Sequence, residues 1–225
     1  MASLTPQIIF HLFGLPIRSS VLASWLAMAI ILITIFLFDR FKPHALEGFV
    51  DFLITMIAGI MQTDSINKYL PLLGTLFIFI AVANSLGALP LLTAPTSDIN
   101  TTIALALVTF FAVYAYGIST KGLKRYLKEF ASPLFLLPLE LIGQVSRTVS
   151  LSLRLFGNTL SGELITAIVF SLIPLLMPLP LMGLSLLIGI LQAYVFTALA
   201  SVYIATGIAQ PDKVPSEKER IITNE

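Results

Sequence analysis

From Pro138 to Pro174 the chain runs without a proline or a strong polar break. At 1.5 Å per residue, a continuous helix of that length reaches about 55 Å, against roughly 30 Å of membrane hydrocarbon. Such a helix cannot stand upright and remain in a bilayer. After the sequence PLLMPLP, Leu181 to Ala209 gives a second helix of about 43 Å, again too long for an upright span. A pair of long helices, strongly tilted and joined as a hairpin, is the simplest solution. Tilt from length mismatch alone is modest, so packing against a partner must hold the pair down.

The bilayer enters through composition. Of 225 residues, 57% are hydrophobic and 11% charged, about half the charged fraction of a soluble domain. Val21 to Phe38 carries no charge over eighteen residues, about the minimum for a crossing, and is followed by the basic DRFKPH. Leu46 to Gln62 is apolar but holds Glu47 and Asp51 one turn apart, the pattern of an interfacial amphipathic helix. Tyr69 to Ser97 is free of charge, with Asn84 in its middle, and Pro90 and Pro95 stop the helix near Leu89. A polar turn, PTSDIN, leads to a third span from Thr101 to Thr120, which ends at the basic loop KGLKRYLKEF. The expected fold is all-α and integral to the membrane: five crossing helices, the last two long and strongly tilted as a hairpin, plus one interfacial amphipathic helix.

The chain is expected to form a single polytopic domain. Residues 1–68 supply the amino-terminal span and interfacial helix, 69–130 the central hairpin and basic loop, 131–210 the tilted hairpin, and 211–225 a tail. Basic residues fix the expected orientation. With the amino terminus outside, the inner loops and tail hold Arg40, Lys42, Lys68, Lys121, Lys124, Arg125, Lys128, Lys213, Lys218 and Arg220, and the outer side holds Arg18 alone. The carboxyl terminus is then cytoplasmic.

Several chemistries are excluded. Without cysteine there is no disulfide and no thiolate metal site. His11 and His44 have no second ligand at metal spacing and read as surface or interfacial side chains. No nucleophile motif, HExxH, phosphate loop or paired-acid motif is present. No internal repeat relates two halves, which argues against a self-contained secondary transporter. No basic start precedes a short apolar run with a small-residue cleavage site, so no cleavable signal peptide is expected.

What remains is a set of polar groups inside the long helices. Glu140, Arg147 and Arg154 are spaced by seven and share one face, along with Gln144, Asn158 and Ser161. Glu163 lies nine after Arg154, on roughly the opposite side. A guanidinium stays protonated at any physiological pH, and a charge in hydrocarbon costs several kcal/mol unless compensated. Arg154 is therefore the first functional suspect; the plain alternative is that it neutralises Glu163 or Glu140 in a structural bundle. Arg147 allows two readings, a site residue or a side chain snorkelling to the interface. On the second long helix Ser185, Gln192 and Tyr203 share a face. Small residues recur there every fourth position, at Gly189, Ala193, Thr197, Ser201 and Ala205, and admit close helix approach. Asn158 and Gln192 are either site groups or interhelical glue, and Tyr203 alone reads equally as an interfacial anchor.

SLSLRLFGNTLSGEL, followed by LQAYVF and SVYIA, resembles subunit a of F-type ATP synthases, the stator of the membrane-embedded Fo sector. NSLGALP at Asn84 to Pro90, PTSDINTTIALAL and KGLKRYLKEF fit the same family in order and spacing, so the resemblance covers about residues 70 to 205. It implies that Arg154 is the essential charge facing the rotating c-ring. Glu163, Asn158, Ser185 and Gln192 match positions of the outer half-channel, and Glu140, with Arg147, the cytoplasmic half. Asn84, Asp98 and Tyr203 are expected in support. Many members carry a titratable group where this chain has Ser185, which leaves Glu163 as the one acid expected in the outer half of the path. The resemblance also implies partners: the c-ring, the peripheral-stalk subunit b, the rest of the complex and membrane lipid, with no nucleic acid and no cofactor. The expected activity is coupling of proton flow to ATP synthesis or hydrolysis, in a cell inner (plasma) membrane, with no covalent chemistry in this chain. A sodium-translocating version of the same subunit is the nearest alternative.

Overall fold

The computed structural model describes residues 8–12, 15–63, 65–88, 92–130, 137–172 and 178–209. Two short strands, β1 (Ile8–Leu12) and β2 (Leu15–Arg18), pair antiparallel ahead of the helices, a small addition to an otherwise all-α membrane fold. The helices are α1 (Ser19–Phe41), α2 (Pro43–Met61), α3 (Leu70–Leu86), α4 (Ile99–Lys121), α5 (Leu123–Phe130), α6 (Leu137–Leu172) and α7 (Pro178–Ile208). Single 3-10 turns at Ile66–Lys68 and Pro95–Ser97 precede α3 and α4.

Helix ends follow local chemistry. Asp98 caps α4 by accepting the Asn100 amide at 3.0 Å, so the helix starts at Ile99, earlier than the expected Thr101. It stops where Gly122 takes φ 81°, a conformation that disfavours other residues. The basic segment beyond, expected as a loop, forms α5 instead, with the Tyr126 ring against Gly117 and 6.3 Å from the Tyr114 ring of α4. A Cβ on Gly117 would lie 2.5 Å from the Tyr126 ring, so this contact requires the glycine. α7 begins at Pro178 rather than Leu181, because prolines are tolerated in a first helical turn where the amide has no partner. α3 stops at Leu86; the expected stop at Leu89, part of the PLLMPLP turn, and the tail with Lys213, Lys218 and Arg220 lie outside the described residues.

Two polar clusters mark opposite ends of the bundle. At one, the Ser20 hydroxyl donates to Asp98 at 2.5 Å and Arg18 approaches the same carboxylate at 3.8 Å. At the other, Lys68 donates to Ser119 at 3.0 Å, and the Tyr69 and Tyr116 rings meet at 4.9 Å. α1 and α4 therefore start at the Asp98 end, and α3 runs against them. Five helices are long and apolar enough to cross a membrane: α1, α2, α4, α6 and α7. α2 follows α1 after one residue, and Met61 at its end packs in one cluster with Tyr69 at the Lys121 end. Nearer its start Phe49 and Phe52 each meet the Phe77 ring of α3 at 6.4 Å, so α2 lies obliquely along the Lys121-side half of α3. Its buried stripe Leu53, Ile57 and Met61 backs exposed Glu47 and Asp51, the expected amphipathic division. α3, with 17 residues, is at the short limit of spanning length and runs between the two end clusters.

α3 is also the hub of the core. Its most extensive contact is with α7, and Leu76, Phe77 and Ile80 pack with Ala106 of α4, Leu151 and Leu155 of α6, and Ala193 and Phe196 of α7. Lipid is as apolar as leucine, so the driving force here is close packing and hydrogen bonding rather than escape from water. The small ridge of α7 provides it: Ala193, Thr197 and Ser201 are fully buried, and Gly189 admits Asn84 so closely that a Cβ would lie 2.8 Å from the Asn84 Cβ. α6, of 36 residues, and α7, of 31, run antiparallel, joined along their length at Gly162 with Ser185, Asn158 with Gln192, and Arg147 with Tyr203.

Candidate functional site

α6 divides sharply by face. Leu151, Ser152 and Leu155 are buried against the bundle, at 3, 4 and 0% exposure. Glu140, Arg147, Arg154, Asn158 and Ser161 are all exposed on the other side. Around them stand Leu139, Ile142, Val149 and Leu153, large apolar side chains also exposed. The heptad stripe read from the sequence is thus an outward-facing row of polar groups on an apolar surface.

Arg154 makes no hydrogen bond or ion pair among the described residues. Both acids that could neutralise it on α6 are engaged elsewhere. Glu140 accepts from Gln144 Nε2 at 3.0 Å, within its own helix turn. Glu163 Oε1 accepts from the Ala94 amide at 2.6 Å, on the turn that precedes α4. The structural-neutralisation alternative for Arg154 is therefore not realised.

Beside the stripe, toward the Asp98 end, α6, α7 and the end of α3 line a partly open cavity of about 150 Å³. Asn84, Asn158, Glu163, Ser185 and Gln192 all line it, so five residues singled out separately by sequence converge on one space. Its size and the polar groups of Asn84, Asn158, Glu163, Ser185 and Gln192 set in a largely apolar wall suit ordered water. Asn158 Nδ2 donates to Gln192 Oε1 at 2.6 Å, while the buried Gln192 Nε2 has no hydrogen-bond partner among the described residues. Asn84 is a junction: its Nδ2 donates to the Gly189 carbonyl at 3.0 Å, and its Oδ1 accepts from Thr96 at 2.5 Å and from Thr159 at 3.3 Å. Gly87 leaves the space in which the Glu163 carboxylate sits, since a Cβ there would be 2.7 Å from the Ala94 Cβ and 3.1 Å from Glu163 Oε1.

Other expected residues lie apart from this cavity. Asp98, a buried acid at the same end as the half-buried Glu163, caps α4 and binds Ser20, and it does not line the cavity. Glu163 remains the one acid of the cavity lining. Toward the Lys121 end, Arg147 sits 5.7 Å over the Tyr203 ring, a cation–π contact that joins the two residues whose roles sequence left open. Burial, then the Tyr114 phenol and the Glu140 carboxylate, raises the Tyr126 hydroxyl of α5 above its ordinary pKa. Thr96, Thr159, Gly87 and the Ala94 amide were missed by sequence reasoning. Thr159 alone carried a signal, standing one turn before Glu163 on the same face; the others sit on turns with no period to reveal them.

A family model described as ATP synthase A chain matches residues 21–205. The chain belongs to that family. Among curated members of the ATP synthase A chain family, "ATP synthase subunit a 2" of Bradyrhizobium sp. is 42% identical over 218 residues, covering 93% of this chain and 97% of that protein. "ATP synthase subunit a" of Moorella thermoacetica is 42% identical over 213 residues, covering 91% and 97%. The same-named protein of Legionella pneumophila is 37% identical over 221 residues, covering 94% and 95%. The segment matched to the ATP synthase A chain family contains the whole outward stripe and the whole cavity lining, and it leaves out the β1–β2 hairpin.

Proposed function

We propose that this chain is the stator subunit a of the Fo sector of an F-type ATP synthase, forming two offset ion half-channels against a rotating ring of c subunits and coupling proton flow to ATP synthesis or hydrolysis. It makes no covalent chemistry of its own. The observation that carries the reading is Arg154: a permanent cation, exposed on an apolar helix face, with neither acid of its helix paired to it. A fixed positive charge at the ring surface favours the deprotonated state of each ring carboxylate as it passes. The same charge bars direct ion passage from one half-channel to the other.

In this reading the cavity at Glu163, Asn158, Ser185, Gln192 and Asn84 serves the outer half-channel, and Asp98 supports it by fixing the start of α4. Glu140 and Arg147, with Tyr203 beneath the guanidinium, serve the cytoplasmic half. The excess of basic residues near Lys121 supports a cytoplasmic carboxyl terminus and an outside amino terminus in a bacterial inner membrane. The c-ring covers the outward stripe of α6, and subunit b and lipid cover other apolar helix faces.

Arg154→Ala tests the assignment. In the purified, reconstituted complex it should abolish ATP-driven ion pumping and ATP synthesis while the subunits remain assembled. Arg154→Lys should restore little, because lysine lacks the planar fork and loses its proton more readily when desolvated. Near-normal coupled synthesis by an assembled Arg154→Ala complex would falsify the reading.

A further inference from the structure

Behind Arg154 lies a hydrogen bond that no expectation included. Ser152 precedes Arg154 by two residues, which places it about 200° around the helix, on the buried face. There its hydroxyl meets Thr102 Oγ1 of α4 at 3.2 Å. Both residues are sealed from the surface, at 4% and 0% exposure. The direction of the bond follows from a count of protons. A hydroxyl has one to donate, and Thr102 gives its own to the Ile99 carbonyl at 3.0 Å, so Ser152 is the donor and Thr102 the acceptor. Ile99 is the first residue of α4, held by the Asp98 cap. The chain of bonds therefore runs from the fixed start of α4, through two hydroxyls, to the back of α6 opposite Arg154.

Farther along α6, toward the Asp98 end, Asn158 donates to Gln192 and Glu163 accepts the Ala94 amide, each at 2.6 Å; at the level of Arg154 the rest of the back face holds α6 less firmly. Leu151 and Leu155 pack into the core, but dispersion contacts have no direction, and a rotation of some tens of degrees exchanges one set for another. Thr159, two turns along, reaches Asn84 Oδ1 at 3.3 Å, yet it also bonds the Leu155 carbonyl of its own helix at the shorter distance of 2.9 Å. A rotation of one residue position, 100°, would swing Arg154 off the outward stripe.

We propose that Ser152 and Thr102 are positioning residues for Arg154: their buried interhelical hydrogen bond fixes the rotation and depth of α6, so that the guanidinium meets the ring surface. The inference rests on the stator reading. The test compares substitutions at Thr102 that separate hydrogen bonding from packing. Thr102→Val keeps the volume and loses the acceptor; Thr102→Ser keeps the acceptor and loses the methyl. In reconstituted complexes, the readout is ATP-driven ion pumping per ATP hydrolysed, with Arg154→Ala measured alongside. Thr102→Val and Ser152→Ala should each lower this ratio roughly threefold, the factor that matches an average buried hydrogen bond between membrane helices. The double variant should be no worse than either single one, and Thr102→Ser should stay near wild type. Wild-type coupling in Thr102→Val, or equal losses of coupling or of assembled complex in Thr102→Val and Thr102→Ser, would overturn the proposal while a dead Arg154→Ala leaves the stator reading standing. Coupling retained in Arg154→Ala would instead remove the stator reading itself.

Discussion

Glu163 is held by the main chain rather than by a cation, and that determines how its role can be probed. The acceptor for the Ala94 amide is one carboxylate oxygen, Oε1. Glutamine retains such an oxygen, so Glu163→Gln should preserve the seat beside Gly87 while removing the only titratable group of the cavity lining. If protons pass through the cavity, ATP-driven acidification of proteoliposomes should fall about a hundredfold, the low end of what a positioned proton-transfer group contributes. Full pumping by this variant, or labelled-sodium uptake by the wild type that survives a protonophore, would exclude a proton relay at this position. How far such residues are legible in sequence depends on their period. Arg154, Asn158, Ser185 and Gln192 could be found because they recur at helical intervals in apolar surroundings. The Ala94 amide could not, since a main-chain donor on a turn has no side chain to announce it. Asn84 was legible as a polar residue in an apolar run, but its three hydrogen bonds come from three other segments, and no local pattern encodes that convergence.

Among the elements, α7 gives the clearest link between composition and packing. Its glycines differ in what a methyl group would meet. At Gly189 it would strike the Cβ of Asn84 at 2.8 Å, an atom fixed to the α3 backbone, with the Asn84 main chain behind it at 3.6 Å; at Gly207 it would strike a Val113 methyl at 2.9 Å; at Gly183 there is nothing within 4 Å. Alanine substitutions should therefore rank in that order, with Gly189→Ala costing about 1–3 kcal/mol, the range for overpacking, and Gly183→Ala neutral. The amount of subunit recovered in assembled complex at a fixed detergent challenge measures the ranking. Sequence anticipated this ridge, and it anticipated α6 and α7 as long helices because no proline or strong polar break interrupts Pro138 to Pro174 or Leu181 to Ala209. Boundaries were harder to foresee. Asp98 moved the start of α4 by capping, Pro178 joined α7 as a first-turn residue, and Tyr126 with Gly117 made a helix of a basic segment that reads as loop. Each depends on a contact or a torsion angle rather than on hydrophobic pattern.

At the scale of the whole molecule, the two end clusters make sidedness testable. Glu163 lies toward the Asp98 end and Glu140 toward the Lys121 end, so cysteines placed at the two positions should react with small charged thiol reagents from opposite sides of sealed vesicles. The chain has no native cysteine to confuse the result. Labelling of both from one side would refute this topology, and labelling of Glu140→Cys from the outside would refute the orientation read from basic residues. The helical bundle was largely legible at this scale, down to the amphipathic division of α2, because hydropathy and charge asymmetry report directly on the solvent each segment meets. The β1–β2 hairpin was not, being too short to carry a pattern. The unpaired guanidinium of Arg154 has a consequence for biogenesis. A newly inserted copy carries a charge toward hydrocarbon, at a cost of about 2.5–3.5 kcal/mol by insertion scales. Lipid headgroups and water drawn toward the charge relieve part of that, and in the proposed stator role a carboxylate of the ring would relieve the rest. The orphan subunit is thus an electrostatically unfinished object, and its persistence in the membrane should follow the supply of its partners rather than its own rate of synthesis.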